Sequence, residues 1–386
     1  MNLHICLVSD QLLANYIPVI MDRPDQVHLV SSAYMVNKGM TARFRKMLEQ
    51  QGFSVFQHDN MPDHDIGGIR RFAEQLWEAV DKQVPDDPAI TLNLTGGNKL
   101  MTLAMWDVFK GIVERIVYTD TFNNCIEYLH DQTREPLRSV LDIPQYLQAY
   151  GVKFLQALSD DEEWLAAVNQ RKPVSKYLAE NAERLGDFIG VLNKLANDTL
   201  EEENHRLLLR YPTQYFRNPP RGIWRDALRQ LQQSGLLKWD GDREVTFTNP
   251  ETVRYLGGIW LEEYVYLIAR DANPEHVACS VKINWDSSRN ATNELDVILV
   301  HHNRMLVIEC KTLRFGNDQQ KDSDMVYKIS DLGDDLRGLF GKTWLVSARE
   351  PTPRLLDRAK SRRLAVISAA GLKDLRRSIL DWMDGG

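Results

Sequence analysis

Two mostly apolar runs separated by a short polar break constrain this chain more than any other feature of its sequence. The runs are residues 295–300 and 305–310, and the break between them reads His-His-Asn-Arg. Each run has the length and the content of branched apolar residues that are typical of a strand, and a short polar break between two strands indicates a tight turn. The stretch 293–312 therefore predicts a β-hairpin.

A two-residue turn at 302–303 fixes which side chains share a face of this hairpin. It pairs Asp296 with Glu309, because the two positions are symmetric about the turn. By the same symmetry it pairs Glu294 with Lys311. Side chains alternate along a strand, so these charged residues share one face and the apolar residues share the other. The predicted core face consists of Leu295, Val297, Leu299, Leu306, Ile308 and Cys310.

Asp296 and Glu309 are like charges placed directly opposite each other. Such a pair destabilises a sheet unless solvent or a cation offsets the repulsion. Carboxylate oxygens suit magnesium or manganese, so a metal site is one interpretation. A half-solvated hairpin with a charged outer face is the alternative, and the residues alone leave both open.

The order Asp, then Glu-x-Lys on the following strand, resembles the motif of the PD-(D/E)XK nuclease superfamily. The motif positions are Asp296, Glu309 and Lys311. Many of these enzymes also carry a glutamate on a helix before the hairpin, in a Gly-x-x-x-Glu context. Residues 258–262 have that spacing, which makes Glu262 the expected helix glutamate and its neighbour Glu263 the alternative.

The resemblance implies a catalytic group made of Asp296, Glu309, Lys311 and Glu262. It further implies a divalent metal, Mn²⁺ or Mg²⁺, held by Asp296, Glu309 and the carbonyl of Cys310. Lys311 is expected to orient or activate the attacking water and to offset charge on the phosphate.

The composition sets wider limits on the whole chain. With 386 residues it is long enough for two or three domains. Its 47 basic and 54 acidic residues give a net charge of -7, so the overall charge does not indicate a nucleic-acid-binding protein. The four cysteines have no CxxC spacing, which argues against a zinc site and a disulfide framework. Neither a signal peptide nor an apolar run long enough for a membrane span is visible, and the expected location is the cytoplasm.

The first 150 residues alternate strand and helix patterns. Short buried strands are expected at 3–8, 26–31, 53–57, 89–94 and 115–118, with helical periodicity between them. Such alternation predicts a mostly parallel α/β sheet with helices on both faces, and ligands of these sheets bind beyond the carboxyl ends of the strands.

Two of the expected strand ends carry polar residues. The first strand runs into Ser9, Asp10 and Gln11. The fourth runs into a Gly-Gly turn before a helix, where free backbone N–H groups favour an anion and glycines let a ligand come close. That turn consists of Thr95, Gly96, Gly97, Asn98 and Lys99. A tight connection without a ligand is the alternative interpretation.

The series Thr-x-Gly-Gly-x-Lys at this position resembles the signature of CARF domains, although here Asn98 replaces the commoner threonine. CARF domains are Rossmann-like sensors that bind cyclic oligoadenylates as homodimers. The resemblance implies cyclic tetra-adenylate as an allosteric activator, a homodimer, and an effector site formed by 9–11 and 95–99. The departure at Asn98 leaves the ring size of the cyclic nucleotide open.

The fold class expected for the whole chain is α/β, in three parts. Residues 1–150 form a Rossmann-like CARF sensor, residues 151–250 form a helical or winged-helix-like connector, and residues 251–386 form a restriction-endonuclease-like PD-(D/E)XK domain. The connector either contacts DNA or only joins the two ends. Within it, the run 201–203 of three glutamates is expected on a solvated helix face, and in the last part His301 and His302 are expected to point apart into solvent.

Together these parts resemble the cyclic-oligoadenylate-activated effector nucleases of type III CRISPR defence. The resemblance implies a metal-dependent endonuclease that cuts RNA or DNA without sequence specificity, either single strands or supercoiled DNA by nicking. Two alternatives remain at this point. One is a non-catalytic nucleotide-sensing regulator that binds DNA, and the other is a restriction or repair nuclease with an unrelated nucleotide sensor.

Overall fold

The chain divides into two units. The first contains residues 1–153 and two short later segments, and the second contains the rest of the chain. The structure, a computed structural model, describes residues 1–82, 88–203, 206–286, 292–313, 315, 319–338 and 340–385. The division of the chain into three parts at residues 150 and 250 stays a prediction.

The first unit is built on one seven-stranded sheet. Its strands β1 to β7 are Asn2–Leu7, Gln26–Val30, Ser54–His58, Ala89–Asn93, Arg115–Asp120, Cys125–Tyr128 and Thr133–Pro136. The order in the sheet is β3-β2-β1-β4-β5-β6-β7; the first five strands are parallel and the last two antiparallel. The predicted α/β sheet is confirmed. The sequence pattern also predicts a hairpin after the fifth strand, with strands at 125–130 and 137–140, but the second of these strands lies earlier, at Thr133–Pro136.

Six helices accompany this sheet. They are α1 to α6: Leu12–Asp22, Ala33–Asn37, Met40–Gln50, Ile66–Asp81, Lys99–Phe109 and Ile143–Ala149. Local capping explains where several of them begin, because a side chain accepts a hydrogen bond from a free backbone N–H of the first turn. Asp65, Asn98 and Asp142 do this for α4, α5 and α6. The core lies under the parallel strands, where Leu3, Ile5 and Leu7 are fully buried.

Within its described residues, the second unit contains eleven strands, β8 to β18. They are Val152–Ala157, Leu200–Glu203, Arg206–Leu209, Thr213–Tyr215, Leu237–Trp239, Glu244–Phe247, His276–Trp285, Thr292–His301, Arg304–Lys311, Gly341–Ser347 and Ala365–Ile367. Six of them form the main sheet in the order β18-β17-β16-β15-β14-β8. The predicted hairpin, β15 and β16, lies in the middle of this sheet, antiparallel to β14 on one side and parallel to β17 on the other.

Eight α-helices belong to the part of the second unit that the structure describes. They are α7 to α14: Glu162–Glu180, Ala182–Asn197, Ile223–Gln233, Pro250–Arg254, Trp260–Asp271, Gln319–Arg337, Pro353–Ser361 and Leu375–Met383. The sequence predicted one helix across 253–270, but a π-helical turn at Tyr255–Ile259 separates α10 from α11. Gly258 causes the break, because its φ of 147° is not helical.

The segment predicted as a connector contains the expected helix followed by a hairpin. Helix α9 precedes β12 and β13, and β11 completes a three-stranded antiparallel sheet in the order β11-β13-β12. The expectation for residues 201–203 is wrong: they lie on strand β9, which pairs with β10. Within the described residues, no helix has the length and apolar character needed to cross a membrane.

Candidate functional site

The turn of the central hairpin sets the register that brings the charged residues together. His302 has a φ of 48° and Asn303 a φ of 59°, which is the conformation of a two-residue type I′ turn. Strand pairing then matches His301 with Arg304 and continues to Val297 with Ile308. The predicted register is therefore confirmed, and its extension by one pair puts Asp296 opposite Glu309.

At the next pair, Asp296 and Glu309, a hydrogen bond from the backbone to a side chain replaces the regular pairing between backbones. The backbone N–H of Cys310 donates to Oδ2 of Asp296 at 2.7 Å. The Asp296 side chain is only 13% exposed, and on the neighbouring strand β14 the facing Ser280 has a φ of 48°. The sheet is thus locally rearranged around one carboxylate, which fixes its orientation.

Lys311 contacts both carboxylates of the hairpin. Its Nζ donates to Oε1 of Glu309 at 2.6 Å and lies 4.0 Å from Oδ2 of Asp296. Burial lowers the pKa of Lys311, but the charges of Glu309 and Asp296 outweigh this effect and hold that pKa above its usual value. The ammonium group therefore stays charged between the two acids.

Negative charge is nevertheless in excess here. Burial, and then the charge of Glu309, raises the pKa of Asp296 well above its usual range. Burial also raises the pKa of Glu262 strongly, with further contributions from the charges of Asp296 and Glu294. Helix α11 carries Glu262, and Ser280 Oγ donates to its Oε2 at 3.4 Å. One lysine thus faces several partly buried carboxyl groups.

This donor set fits a hard divalent cation. Mg²⁺ and Mn²⁺ prefer carboxylate and carbonyl oxygens, and a cation would offset the mutual repulsion that raises the pKa of Asp296. Asp296 and Glu309 offer such oxygens from adjacent strands. The thiol of Cys310 lies in the apolar core and its pKa is raised well above normal by burial, so only the backbone of Cys310 is suited to a hard ion.

The structure distinguishes the two neighbouring helix glutamates. Glu263 is buried and receives two hydrogen bonds from the guanidinium of Arg171, at 3.0 and 2.7 Å. Arg171 also donates to Glu251 at 2.6 Å. Glu263 is thus engaged by Arg171, and Glu262 is the glutamate whose pKa the charge of Asp296 helps to raise.

The π-helical turn before α11 lies close to the end of β16. A Cβ added to Gly258 would lie 3.0 Å from Oγ1 of Thr312, the residue after Lys311, so a glycine lets the helix approach the end of β16. Beside it is a pocket of about 440 Å³. Its lining residues are Asn197, Leu200, Arg254, Gly257, Gly258, Ile259 and Glu262. The sequence analysis did not select Arg254, which lines this pocket.

The sensor residues lie at the switch point of the first sheet. Strands β1 and β4 are parallel neighbours, and the chain leaves β1 toward β2 on the other side, so the carboxyl ends of β1 and β4 border the crevice where such sheets bind ligands. The loop 9–11 follows β1 and the loop 95–99 follows β4. The two predicted segments are therefore brought to the same edge.

Several of these residues already have structural roles. A Cβ on Gly96 would lie 1.8 Å from the carbonyl oxygen of Leu7, so this glycine is needed for packing against β1. Thr95 Oγ1 donates to Asn93 and accepts from the N–H of Thr119. Asn98 caps α5 by accepting from the N–H of Met101. These contacts make the loop rigid before any ligand binds.

Other groups at this edge are available to a ligand. Gly97 has a φ of 75°, and Lys99 is exposed at the start of α5, without an ion-pair partner among the described residues. Oε1 of Gln11 is buried and, in the described part of the chain, has no hydrogen-bond partner. Asp10 instead pairs with Lys38 at 2.7 Å, a residue that sequence reasoning did not select.

Comparisons with known proteins find similarity in both parts of the chain. Residues 3–146 match the family described as Card1 CARF domain, and residues 249–385 match the Card1-like, endonuclease domain. No curated protein matches the chain. Among solved structures, Can2 from Sulfobacillus thermosulfidooxidans, in complex with cyclic tetra-adenylate, is 25% identical with a TM-score of 0.79. The match covers 99% of this chain and 97% of that chain.

Two further structures share the fold. Protein VC1899 from Vibrio cholerae is 20% identical, with a TM-score of 0.82 and coverage of 99% of this chain and 98% of that chain. A type III CRISPR defence DNA nuclease activated by cyclic oligoadenylate is 15% identical, with a TM-score of 0.55, and the match covers 95% of this chain but 48% of that chain. Since the two family matches follow each other along the sequence, the chain combines a CARF domain with a Card1-like endonuclease domain.

Proposed function

We propose that the chain is a metal-dependent endonuclease that cyclic tetra-adenylate switches on, and that it acts in type III CRISPR antiviral defence. The matched endonuclease and CARF families support this, as does the similarity to a structure solved with cyclic tetra-adenylate. The observation that carries the catalytic half of the proposal is the joint position of Asp296, Glu309 and Lys311 at one end of the central hairpin. A charged face without a catalytic role would not need this degree of burial.

Asp296 and Glu309, with the carbonyl of Cys310, are the proposed ligands of Mn²⁺ or Mg²⁺. When bound, such an ion polarises the phosphate and makes a water molecule more acidic. The hydrogen bond from the Cys310 N–H orients the Asp296 carboxylate in advance. Preorganisation of this kind reduces the reorganisation that the reaction requires.

Lys311 and Glu262 are the proposed partners of the reacting groups. Lys311 is a charged donor in contact with Glu309, so it is suited to orient the attacking water and to stabilise the negative charge that develops on the phosphate. Glu262 approaches from helix α11, where Ser280 orients it. It is suited to hold the same water from the helix side.

The substrate is proposed to be single-stranded RNA or DNA, or supercoiled DNA that is nicked. The pocket of about 440 Å³ beside Glu262 supports this, because it gives a chain access to the acidic group. Arg254 lines it and offers a guanidinium for a backbone phosphate, which is a contact without sequence information. Cutting without sequence specificity agrees with such a contact.

The activator is proposed to bind the edge formed by 9–11 and 95–99. The N-terminus of α5 presents backbone N–H groups to an anion, and Lys99 adds a positive charge there. Gln11 and Asn93 each hold a buried polar atom that, among the described residues, has no partner. Both features suit a polar, phosphate-bearing ligand.

A homodimer through the first unit is the proposed assembly. Helix α5 exposes Leu100 at 38% and Leu103 at 59%, directly after Lys99, and Phe122 is 94% exposed. Apolar side chains at such exposure favour burial in an interface. A two-fold ligand would then meet one loop 95–99 from each subunit. The four buried free cysteines agree with the cytoplasm as the proposed compartment.

Cleavage of labelled single-stranded RNA, single-stranded DNA and supercoiled plasmid tests this function. The full chain is assayed with Mn²⁺, with and without cyclic tetra-adenylate, beside the Asp296→Asn and Lys99→Ala variants. We expect cleavage that needs both the metal and the nucleotide, loss of all cleavage in Asp296→Asn, and a higher nucleotide requirement in Lys99→Ala.

Different failures have different meanings in this assay. Cleavage that persists in Asp296→Asn would remove the hairpin from the active site. If metal-dependent cleavage is the same with and without cyclic tetra-adenylate, the proposed nuclease activity stands and the proposed activator is wrong.

A further inference from the structure

The turn end of the central hairpin holds a second group of metal-type ligands. Ligand atoms of Glu275, His301 and His302 all lie within 4.8 Å of one another. Asp296 precedes His301 by five residues on β15, which corresponds to about 17 Å along an extended strand. The group is thus separate from the catalytic carboxylates.

Strand register explains how two of these residues meet. β14 and β15 are antiparallel, with His276 opposite Val300, so Glu275 lies opposite His301 at the next position. Nδ1 of His301 is 3.1 Å from Oε2 of Glu275. The side chains face each other across the sheet, as directly opposite partners do.

The positive φ of the turn brings in the third residue. The sequence expectation that His301 and His302 point apart is wrong, because strand alternation stops where His302 adopts a φ of 48°. The two imidazole rings stack with centroids 4.1 Å apart, and Nε2 of His302 lies 3.6 Å from Oε1 of Glu275. One carboxylate and two imidazoles therefore converge from two loops.

We propose that Glu275, His301 and His302 form a binding site for a borderline divalent cation of the Zn²⁺ class. Tetrahedral zinc with ligand bonds of about 2.0–2.1 Å holds its ligand atoms about 3.3 Å apart. The imidazole nitrogens of His301 and His302 lie at similar distances, 3.1 and 3.6 Å, from the carboxylate oxygens of Glu275. Imidazole nitrogen suits Zn²⁺ better than Mg²⁺ or Mn²⁺, so this site and the oxygen site at Asp296 select different metals. Three protein ligands leave one position for water.

The neighbouring groups are compatible with a cation. The guanidinium of Arg304, the turn partner of His301, lies 5.7 Å from the ring centre of Trp382 and donates to the Met383 carbonyl, so it is engaged on another contact. Glu275 also accepts the backbone N–H of His302 at 2.6 Å. This bond orients the carboxylate toward the turn. A bound ion would fasten the loop between α11 and β14 to the hairpin tip.

The test uses the full chain with Asp296→Asn and Glu309→Gln, which removes the oxygen site from the measurement. Zn²⁺ binding is measured by competition with a chromophoric chelator, and Co²⁺ binding by its visible absorption. We expect one tight site per chain and a melting temperature that rises with Zn²⁺. Glu275→Gln and His302→Ala should each weaken Zn²⁺ binding by more than about tenfold, since even loss of an outer-shell partner weakens binding by about 10–100-fold.

His276→Ala is the matched control, because His276 is an exposed histidine beside Glu275 that does not belong to the group. It should bind Zn²⁺ like the parent chain. Circular dichroism without metal checks that each variant is folded, and Glu275→Gln keeps the shape of the side chain. Zn²⁺ binding that is absent, or that is unchanged in both Glu275→Gln and His302→Ala, overturns the proposal. The proposed nuclease function does not depend on either result.

Discussion

The proposed catalytic end of the hairpin and the proposed sensor edge of the first sheet are both charged sites, but they are built in opposite ways. Asp296 and Glu309 stand on central strands with negative charge that Lys311 only partly offsets. In the loop 95–99, by contrast, most polar groups are satisfied within the protein. At the hairpin, a bound cation would relieve the repulsion between the carboxylates. In the loop 95–99, internal hydrogen bonds hold the backbone in place without a ligand. Substitutions should therefore separate function from stability in the first site more cleanly than in the second.

The largest expected effect concerns the catalytic carboxylates. Asp296→Asn or Glu309→Gln should lower metal-dependent cleavage by at least about a thousandfold, because each removes a charged group at the reacting centre. Thermal stability should stay the same or rise, since like-charge repulsion is relieved. Single-turnover cleavage at saturating Mn²⁺ and a melting curve measure the two quantities. A stable variant with unchanged turnover would show that the repulsion has no catalytic purpose.

The next effect concerns stability in the sensor loop. Gly96→Ala should destabilise the chain by about 3 kcal/mol or more, because its Cβ would lie 1.8 Å from the Leu7 carbonyl oxygen and backbone must move. Gly111→Ala is the control, since a Cβ there meets nothing within 4 Å. Denaturant unfolding of both variants measures the difference. Equal stability of the two variants would mean that the backbone around Gly96 can move to accommodate a Cβ at little cost in free energy.

A smaller effect isolates ligand binding at the same loop. Lys99→Ala should weaken cyclic tetra-adenylate binding by about 1–3 kcal/mol, the range of a charge-assisted contact. Stability should not change, because Lys99 is exposed. Calorimetry gives the dissociation constant, with Lys110→Ala at the other end of α5 as control. If both variants bind equally well, the Gly-Gly turn is only a connection.

The smallest effect is a pH dependence in the first sheet. Burial, and then the charge of His58, lowers the pKa of His28 from 6.5 to about 4. The unfolded chain therefore takes up a proton below pH 6.5 that folded His28 does not, so stability is full above this pH and falls between 6.5 and 4. At pH 5.5 the loss should be about 1 kcal/mol relative to pH 7.5. Melting curves of the parent chain and His28→Gln measure it, and identical pH profiles would contradict the assignment.

Sequence reasoning succeeded where a short-range rule governs the structure. Alternation and turn symmetry were enough to pair Asp296 with Glu309, and strand order was enough to bring the two sensor segments to one edge. The fold class, an α/β CARF sensor with an endonuclease domain, is confirmed. These features depend on periodicity, which the sequence displays directly.

What failed depends on contacts between distant residues or on unusual backbone angles. Arg171 neutralises Glu263 from 92 positions away, and no local pattern identifies that partner. Lys38 reaches Asp10 from another loop. The stacking of His301 on His302 follows from a positive φ that alternation rules do not include. Position along the chain was thus predicted better than the direction of individual side chains.

The π-helical turn at Tyr255–Ile259 determines which glutamate can serve catalysis. Consecutive residues of a helix differ in direction by about 100°, so Glu262 and Glu263 can never face the same neighbour. A π turn contains one residue more than the α-helical turn it replaces and thereby rotates everything after it. Loss of a single residue there would put Glu263 in the direction that Glu262 now has, and Tyr264 in the direction of Arg171. The spacing of Gly258 and Glu262 thus sets the helical phase, which point substitutions preserve and one deletion would shift by one residue.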